Sequence, residues 1–315
     1  MKCFLKKYWL IVFLPLTVFS QTVTSEEFAL TTPKGVIQGT LTTPAFSKKK
    51  PPLMLLIAGS GPTDRNCNAP GLKTDAYKKL AEALAGKRVA TLRFDKRGIA
   101  ASASAGGREE DMSFETYIQD AVAWVDTLRR TRRFGKITIA GHSEGSLIGM
   151  IATRLAGADR FISIAGAGRN ITDVLKTQLA SLPDTMRQEA YANLDKLRNG
   201  EKVEKPNPLL YSLFRPSVQP YMISWMRYTP VEEISKLKVP VCIIQGKRDI
   251  QVAMPEAEAL RQVTPKAKWV VFEEMNHILK DAPSDRAGNL ATYTKVELPL
   301  TEGIVEVIAE FVRAK

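Results

Sequence analysis

Apolar residues along this chain fall into short, mostly continuous runs that alternate with stretches in which they recur every three or four positions. The runs cover residues 53–58, 88–94, 137–140, 161–165, 239–245 and 268–272, and most have a turn-forming Gly, Pro or Asp beside them. A strand that is apolar on both faces is covered on both faces, as in a buried parallel sheet. The intervening segments 75–85, 114–130, 146–155, 255–263 and 303–313 read as helices. In 114–130 the apolar positions Phe114, Tyr117, Ile118, Ala121, Val125 and Leu128 share one helical face, so its aromatics are core. Alternation of strand and helix predicts an α/β domain, with a mostly parallel central sheet and helices on both faces. Ahead of it, 28–30 and 36–41 read as a hairpin around Thr32-Pro33-Lys34-Gly35.

The alternation stops after 161–165 and resumes at 239. In between, 171–199 reads as two helices broken at Pro183, 201–208 is a polar, proline-marked link, and 209–228 is rich in Tyr, Phe, Met and Trp. A structureless loop of that length has no place in a compact domain, so the region of about 168–235 is expected to be a helical cap. Its large apolar residues include Leu209, Tyr211, Leu213, Phe214, Tyr221, Met222, Trp225, Met226 and Tyr228. They either pack the cap onto the body or line an apolar entrance to whatever lies beneath it.

The candidate chemistry begins at Gly141-His142-Ser143-Glu144-Gly145, where the run 137–140 passes into the helical segment 146–155. G-x-S-x-G on a strand–turn–helix exposes a serine hydroxyl at the end of a sheet, while the flanking glycines admit neighbouring backbone. The helix that follows directs its first N–H groups at the reaction centre. A plain tight turn would account for the glycines but not for His142-Ser143-Glu144 at the end of a core strand. A serine needs a base, and the base needs an orienting carboxylate. Beyond the first residues the chain offers two histidines, His142 and His277. His142 adjoins the serine and is turned away by the elbow, which leaves His277, in the loop after the last predicted strand. Asp249 follows the penultimate strand and lies at the same sheet end, in the order Ser, Asp, His. Glu273, Glu274, Asp281 and Asp285 are its rivals and are expected to face solvent.

The loop Gly59-Ser60-Gly61-Pro62-Thr63-Asp64-Arg65-Asn66 lacks the lysine-hydroxyl ending of a nucleotide-binding loop. It suits an oxyanion hole, and because Pro62 has no N–H, the donor is Ser60 or Gly61. In Asp95-Lys96-Arg97-Gly98 we expect an Asp95–Arg97 pair that pins the loop, and residues 100–107 should be small and flexible.

With serine, aspartate and histidine each following a strand, the chain from about residue 28 to 315 resembles the α/β-hydrolase family. The motifs G-S-G-P-T-D-R-N, R-F-D-K-R-G and G-H-S-E-G look like those of secreted bacterial esterases in the serine-aminopeptidase and dienelactone-hydrolase-related branch. The resemblance implies an α/β-hydrolase fold with a cap. It makes Ser143 the nucleophile, His277 the base and Asp249 its orienter, with the backbone N–H groups of Ser60 and Glu144 as the oxyanion hole. It also implies a small-molecule ester substrate and no metal or organic cofactor. Cys67 and Ala100 stand where glycine is usual in such sequences, and Ser143 replaces the cysteine nucleophile of dienelactone hydrolases proper. A serine aminopeptidase is the alternative enzyme. It would need cap carboxylates such as Glu189, Glu201, Glu204, Glu232 or Glu233 to hold an ammonium. A non-catalytic binding protein on the same scaffold is the alternative from another class.

Length and composition agree with one large α/β domain: 315 residues, 44% hydrophobic and 25% charged. Lys2, Lys6 and Lys7 precede an apolar run, and 18–20 offers a small-residue cleavage site, so 1–20 is expected to be a signal peptide and 21–315 the hydrolase domain. Cleavage removes three lysines and no acid, taking the net charge from +12 to +9. Export to a bacterial periplasm or beyond is expected, without stable membrane association once the segment is cleaved; retention of the apolar run as an anchor is the alternative. The basic residues (48–50, Lys78, Lys79, 129–133) are scattered without aromatic interleaving, which argues against a nucleic-acid partner. Cys67 and Cys242 are expected to be free thiols.

Overall fold

Continuous apolar strands assemble into an eight-stranded sheet in this computed structural model, which describes residues 23–45 and 49–314. The signal peptide expected at 1–20 and Lys48 lie outside the described residues. The strands are β1 (Thr24–Thr32), β2 (Gly35–Thr43), β3 (Leu53–Ile57), a short antiparallel pair β4 (Asn68–Ala69) and β5 (Leu72–Lys73), β6 (Ala90–Phe94), β7 (Ile137–His142), β8 (Arg160–Ile164), β9 (Val241–Gly246) and β10 (Lys268–Phe272). The helices are α1 (Ala76–Gly86), α2 (Phe114–Arg130), α3 (Glu144–Ala156), α4 (Ile171–Gln178), α5 (Asp184–Arg198), α6 (Tyr211–Phe214), α7 (Gln219–Trp225), α8 (Pro230–Ser235), α9 (Met254–Val263), α10 (Arg286–Ala291) and α11 (Ile304–Arg313).

The sheet order is β1-β2-β6-β3-β7-β8-β9-β10, antiparallel at β1/β2 and β2/β6 and parallel from β6 onward. The expected hairpin is present and runs longer than its apolar alternation. Side chains alternate across the sheet. Leu53, Leu55 and Ile57 face a core with Phe114, Trp124, Ile148 and Met150, whereas Met54 and Leu56 face one with Tyr77, Leu80, Leu84 and Ile308. Helices therefore cover both faces, as the periodicity predicts.

The order has one functional consequence. The chain leaves β3 toward β6 on one side and leaves β7 toward β8 on the other, so the loops after β3 and β7 diverge. Such a switch point opens a crevice at the carboxyl ends of the strands. Both the 59–66 loop and Ser143 emerge there.

Two loop expectations are corrected. Arg97 does not pair with Asp95: its guanidinium donates to both carboxylate oxygens of buried Asp120 on α2, at 2.6 Å each. Asp95 instead accepts from the Arg65 N–H at 2.7 Å and the Ala101 N–H at 3.3 Å. Successive residues of a loop point to different sides, and each finds the nearest opposite charge. Residues 100–105 form a 3₁₀ turn rather than a free loop, because Ser102 is buried and its Oγ accepts from the Gln38 N–H at 2.8 Å. Cys67 (φ +72°) and Ala100 (φ +43°) both adopt left-handed backbone, so the glycine-like conformation persists without glycine.

Between β8 and β9, α4 to α7 pack around a core of their own that includes Val174, Leu194, Phe214, Met222 and Met226, while Ile234 of α8 joins the core of the body. The break at Pro183 falls where α5 begins. Trp225 stacks on Phe114 of α2, with ring centroids 5.7 Å apart and planes 3° from parallel, and this joins the helical segment to the body. Cys67 and Cys242 are free and buried. Burial pushes their thiols up to about 11 and about 12, which keeps both protonated and unreactive.

Candidate active site

At the end of β7, Ser143 has φ +54° and ψ −122°, a conformation L-residues rarely adopt. The backbone holds it there from both sides. Its N–H donates to the Ile164 carbonyl at 2.9 Å, and its own carbonyl accepts from the Ser146 N–H at 2.9 Å. A Cβ on Gly141 would lie 2.0 Å from the Gly145 carbonyl oxygen, and one on Gly145 would lie 2.4 Å from that of Ile57. The sharp turn onto α3 therefore excludes any side chain at either glycine of the motif. Glu144 opens α3, so its N–H is one of the helix donors that no earlier turn can accept.

The 59–66 loop comes against this turn. A Cβ on Gly59 would meet the Ser143 Cβ at 3.1 Å. Ser60, Gly61, Ser143 and Glu144 together line the same cavity, of about 360 Å³, whose walls include Leu147, Leu175, Val218, Met222 and Trp225.

His277 and Asp249 form a buried pair with 2.7 Å between Nδ1 and Oδ2. The other carboxylate oxygen of Asp249 accepts from the N–H groups of Gln251 (2.8 Å) and Val252 (2.9 Å). Burial alone would push this carboxyl up, but the His277 charge and hydrogen bond and these backbone donors outweigh it and hold it below the usual carboxylate range. Asp249 is thus fixed as an acceptor, so His277 carries its proton on Nδ1 and presents Nε2 on the opposite side of the ring. The rivals Glu273, Glu274, Asp281 and Asp285 are all exposed, as expected.

His142 is turned away from the serine and serves as a brace. Its Nδ1 accepts from the Tyr77 hydroxyl at 2.8 Å, and its Nε2 donates to the His277 carbonyl at 2.7 Å. Burial, followed by repulsion from His277, pushes its imidazole down to about 3, so the ring is neutral and keeps one donor and one acceptor. The Gly59 N–H reaches the same Tyr77 oxygen at 3.4 Å. One chain of contacts thereby connects the 59–66 loop, the strand before Ser143 and the backbone of His277. The rings of His142 and His277 lie 4.6 Å apart, which brings His277 beside the elbow.

Three contributors escaped the sequence reading. Tyr77 lies within the segment 75–85 that reads as a helix, and nothing in the sequence sets it apart. Asn276, buried beside His277, bonds Thr292 Oγ1 at 2.8 Å and Asn289 Oδ1 at 3.2 Å and so anchors the histidine loop. Lys96 lies almost wholly inside the protein, with its ammonium on Glu144. Of these, only Asn276 carried a signal, a polar side chain next to His277.

A family model described as "Serine aminopeptidase, S33" (Hydrolase_4) matches residues 71–281, two thirds of the chain, including Ser143, Asp249 and His277. The chain belongs to this family. It is 25% identical over 232 residues to Esterase EstD of Thermotoga maritima, covering 72% of this chain and 54% of that protein, so it spans about half the length of that relative. Among solved structures, Est1E from Butyrivibrio proteoclasticus is similar with a TM-score of 0.57 at 18% identity, covering 91% of this chain and 95% of that one. The Pyrococcus furiosus esterase Pf2001 has a TM-score of 0.54 at 17% identity, over 81% of this chain and 82% of that one. The Pyrococcus horikoshii acylaminoacyl peptidase has a TM-score of 0.54 at 16% identity, over 92% of this chain and 41% of that one. At these identities the likeness is one of fold: an α/β-hydrolase with a mostly parallel sheet.

Proposed function

We propose that this protein is a serine carboxylesterase that hydrolyses uncharged esters of short to medium acyl chain. In this reading Ser143 attacks the ester carbonyl and His277 Nε2 takes its proton. Asp249 keeps the imidazole in the required tautomer, and the N–H groups of Ser60 and Glu144 receive the oxyanion. The proton returned by His277 to the leaving alkoxide releases the alcohol. Water activated by the same imidazole then frees the acid.

The observation that carries the reading is the pairing of a strained serine with an apolar-walled cavity that offers an ammonium no free carboxylate. None of Glu189, Glu201, Glu204, Glu232 and Glu233 lines that cavity, and both oxygens of Glu144 are engaged, by Lys96 and by the Tyr221 hydroxyl. The charged residues that do line it besides Glu144 are Arg169 and Arg215, already paired with Glu256 and Glu109. A substrate ammonium would find like charge there, which disfavours the aminopeptidase alternative. Leu213, Tyr221, Met222 and Trp225 of the aromatic-rich segment line the cavity, whereas Phe214 and Met226 are core and Leu209 and Tyr211 are exposed. Each buried methylene contributes up to about 0.8 kcal/mol, roughly a fourfold gain.

On p-nitrophenyl esters, kcat/KM should rise from acetate to butyrate or hexanoate and fall for long chains, with aminoacyl anilides turned over poorly. A preference for aminoacyl anilides over every ester would replace this reading with the aminopeptidase. We further propose export by the segment 1–20. Cell fractionation of the full chain is expected to find it, shortened, outside the cytoplasm, and full-length protein in the cytoplasm would refute this.

A further inference from the structure

We infer that Lys96 is the positioning residue of the oxyanion hole, setting both of its N–H donors from one buried ammonium. This rests on the esterase reading above and goes beyond it. The Lys96 side chain is 3% exposed, and its Nζ donates to the Gly59 carbonyl at 2.5 Å and to Glu144 Oε2 at 3.0 Å. It also lies 5.2 Å from the centre of the Tyr117 ring. The second oxygen of Glu144 accepts from the Tyr221 hydroxyl of α7.

The peptide bond makes the first contact consequential. The Gly59 carbonyl and the Ser60 N–H belong to one planar trans unit and point in opposite directions. An ammonium that grips the carbonyl therefore turns the Ser60 N–H the other way, toward the cavity that Ser60 lines with Ser143. The Gly59 N–H contact to Tyr77, by comparison, is long, at 3.4 Å. The second contact fixes the other donor. Glu144 carries the second oxyanion N–H on its backbone, and its carboxylate is tied to the same ammonium and, through Tyr221, to the cavity wall. A charge buried this deeply is strongly disfavoured unless it is paired and hydrogen-bonded, so the arrangement is rigid: any drift of the loop or the elbow would leave a charge exposed to apolar surroundings.

A group that aims oxyanion donors acts on the transition state and not on ground-state binding. In Lys96→Met, kcat for p-nitrophenyl butyrate should fall on the order of 10²-fold, with KM changed less than about twofold. Affinity for an alkylboronic acid, whose tetrahedral adduct on the serine places an oxygen in the hole, should fall by a similar factor. Rates are taken per site titrated with an organophosphate, so that a merely less stable protein does not count as a slower one. Lys96→Met leaves Glu144 buried without its partner; should that variant fail to fold, Lys96→Met/Glu144→Gln removes the orphaned charge and should show the same loss of kcat. Full kcat with unaltered boronate affinity in whichever variant folds would overturn the inference, as would a rise in KM alone. Wild-type turnover that survives Ser143→Ala would instead defeat the esterase reading, whatever Lys96 does.

Discussion

Asp249→Asn tests the candidate site most sharply, because the hydrogen bonds around the carboxylate dictate how an amide must sit. Oδ1 accepts from two backbone N–H groups at 2.8 and 2.9 Å, and Oδ2 faces His277 Nδ1 at 2.7 Å. An asparagine would keep its oxygen against the two backbone donors, since the reverse orientation would set an NH₂ against both. Its NH₂ then faces Nδ1 and can be satisfied only by an imidazole with its proton on Nε2. That tautomer has no lone pair for the proton of Ser143. The shape of the site is preserved while the base is lost, and kcat for p-nitrophenyl butyrate should fall about 10⁴-fold, the scale expected when a triad carboxylate is replaced by its amide. Steady-state kinetics at neutral pH measure the loss. Circular dichroism and thermal melting, alongside a stoichiometric titration of folded protein, show that the fold is retained. Residual activity above about a tenth of wild type in a folded variant would refute the assignment of Asp249. So would a comparable loss from Glu274→Gln or Asp285→Asn, both exposed and outside the pair.

Ser143→Ala should lower ester turnover on the order of 10⁶-fold, as removal of a nucleophile from a concerted unit does, and a serine-directed organophosphate should label Ser143 alone by peptide mass. His142 is neutral in the folded protein down to about pH 3 and ordinarily titrates near 6.5 when unfolded, so between these values the unfolded chain binds the extra proton. Its contribution to stability should therefore be fully present above about pH 6.5 and decline by up to about 1.4 kcal/mol per unit as pH falls toward 3. His142→Gln should flatten that part of a denaturant-midpoint series across pH; an unchanged slope would show that His142 is not the group responsible.

The fold was legible because burial on both faces leaves a mark in the sequence. Leu53 to Ile57 and Ile137 to Ala140 are continuous because each side chain, whichever face it takes, meets a helix. The elbow was legible because its glycines are dictated by distances of 2.0 and 2.4 Å that no side chain fits, and such a constraint needs no knowledge of the rest of the chain. His277 and Asp249 were reachable through scarcity and strand order. The aromatic-rich segment was not resolvable in the same way. Tyr221 and Phe214 are both large and apolar, yet one lines the cavity and the other closes a core, and short helices such as α6 and α7 carry too few turns for periodicity to separate the two faces.

The segment Asp95-Lys96-Arg97 shows why electrostatic partners resist this kind of reading. Two opposite charges two positions apart suggest a local pair, and the local pair is wrong: Asp95 turns to Arg65, Lys96 to Glu144 and Arg97 to Asp120. All three are buried, so none could be left to water. At the surface a charge can stay solvated and its choice of neighbour matters little, being worth up to about 1 kcal/mol. Beneath the surface, an unpaired charge costs several kcal/mol, and each of these three meets an opposite charge brought from elsewhere in the chain. The partners here lie 30, 48 and 23 residues away in sequence. Spacing along the chain holds no record of such distances; they are set when the loops after β6 and β3 converge on the elbow. For the same reason the residue that we infer to aim the oxyanion donors sits in an ordinary-looking charged tripeptide, and its role emerges only once the ammonium is seen between Gly59 and Glu144.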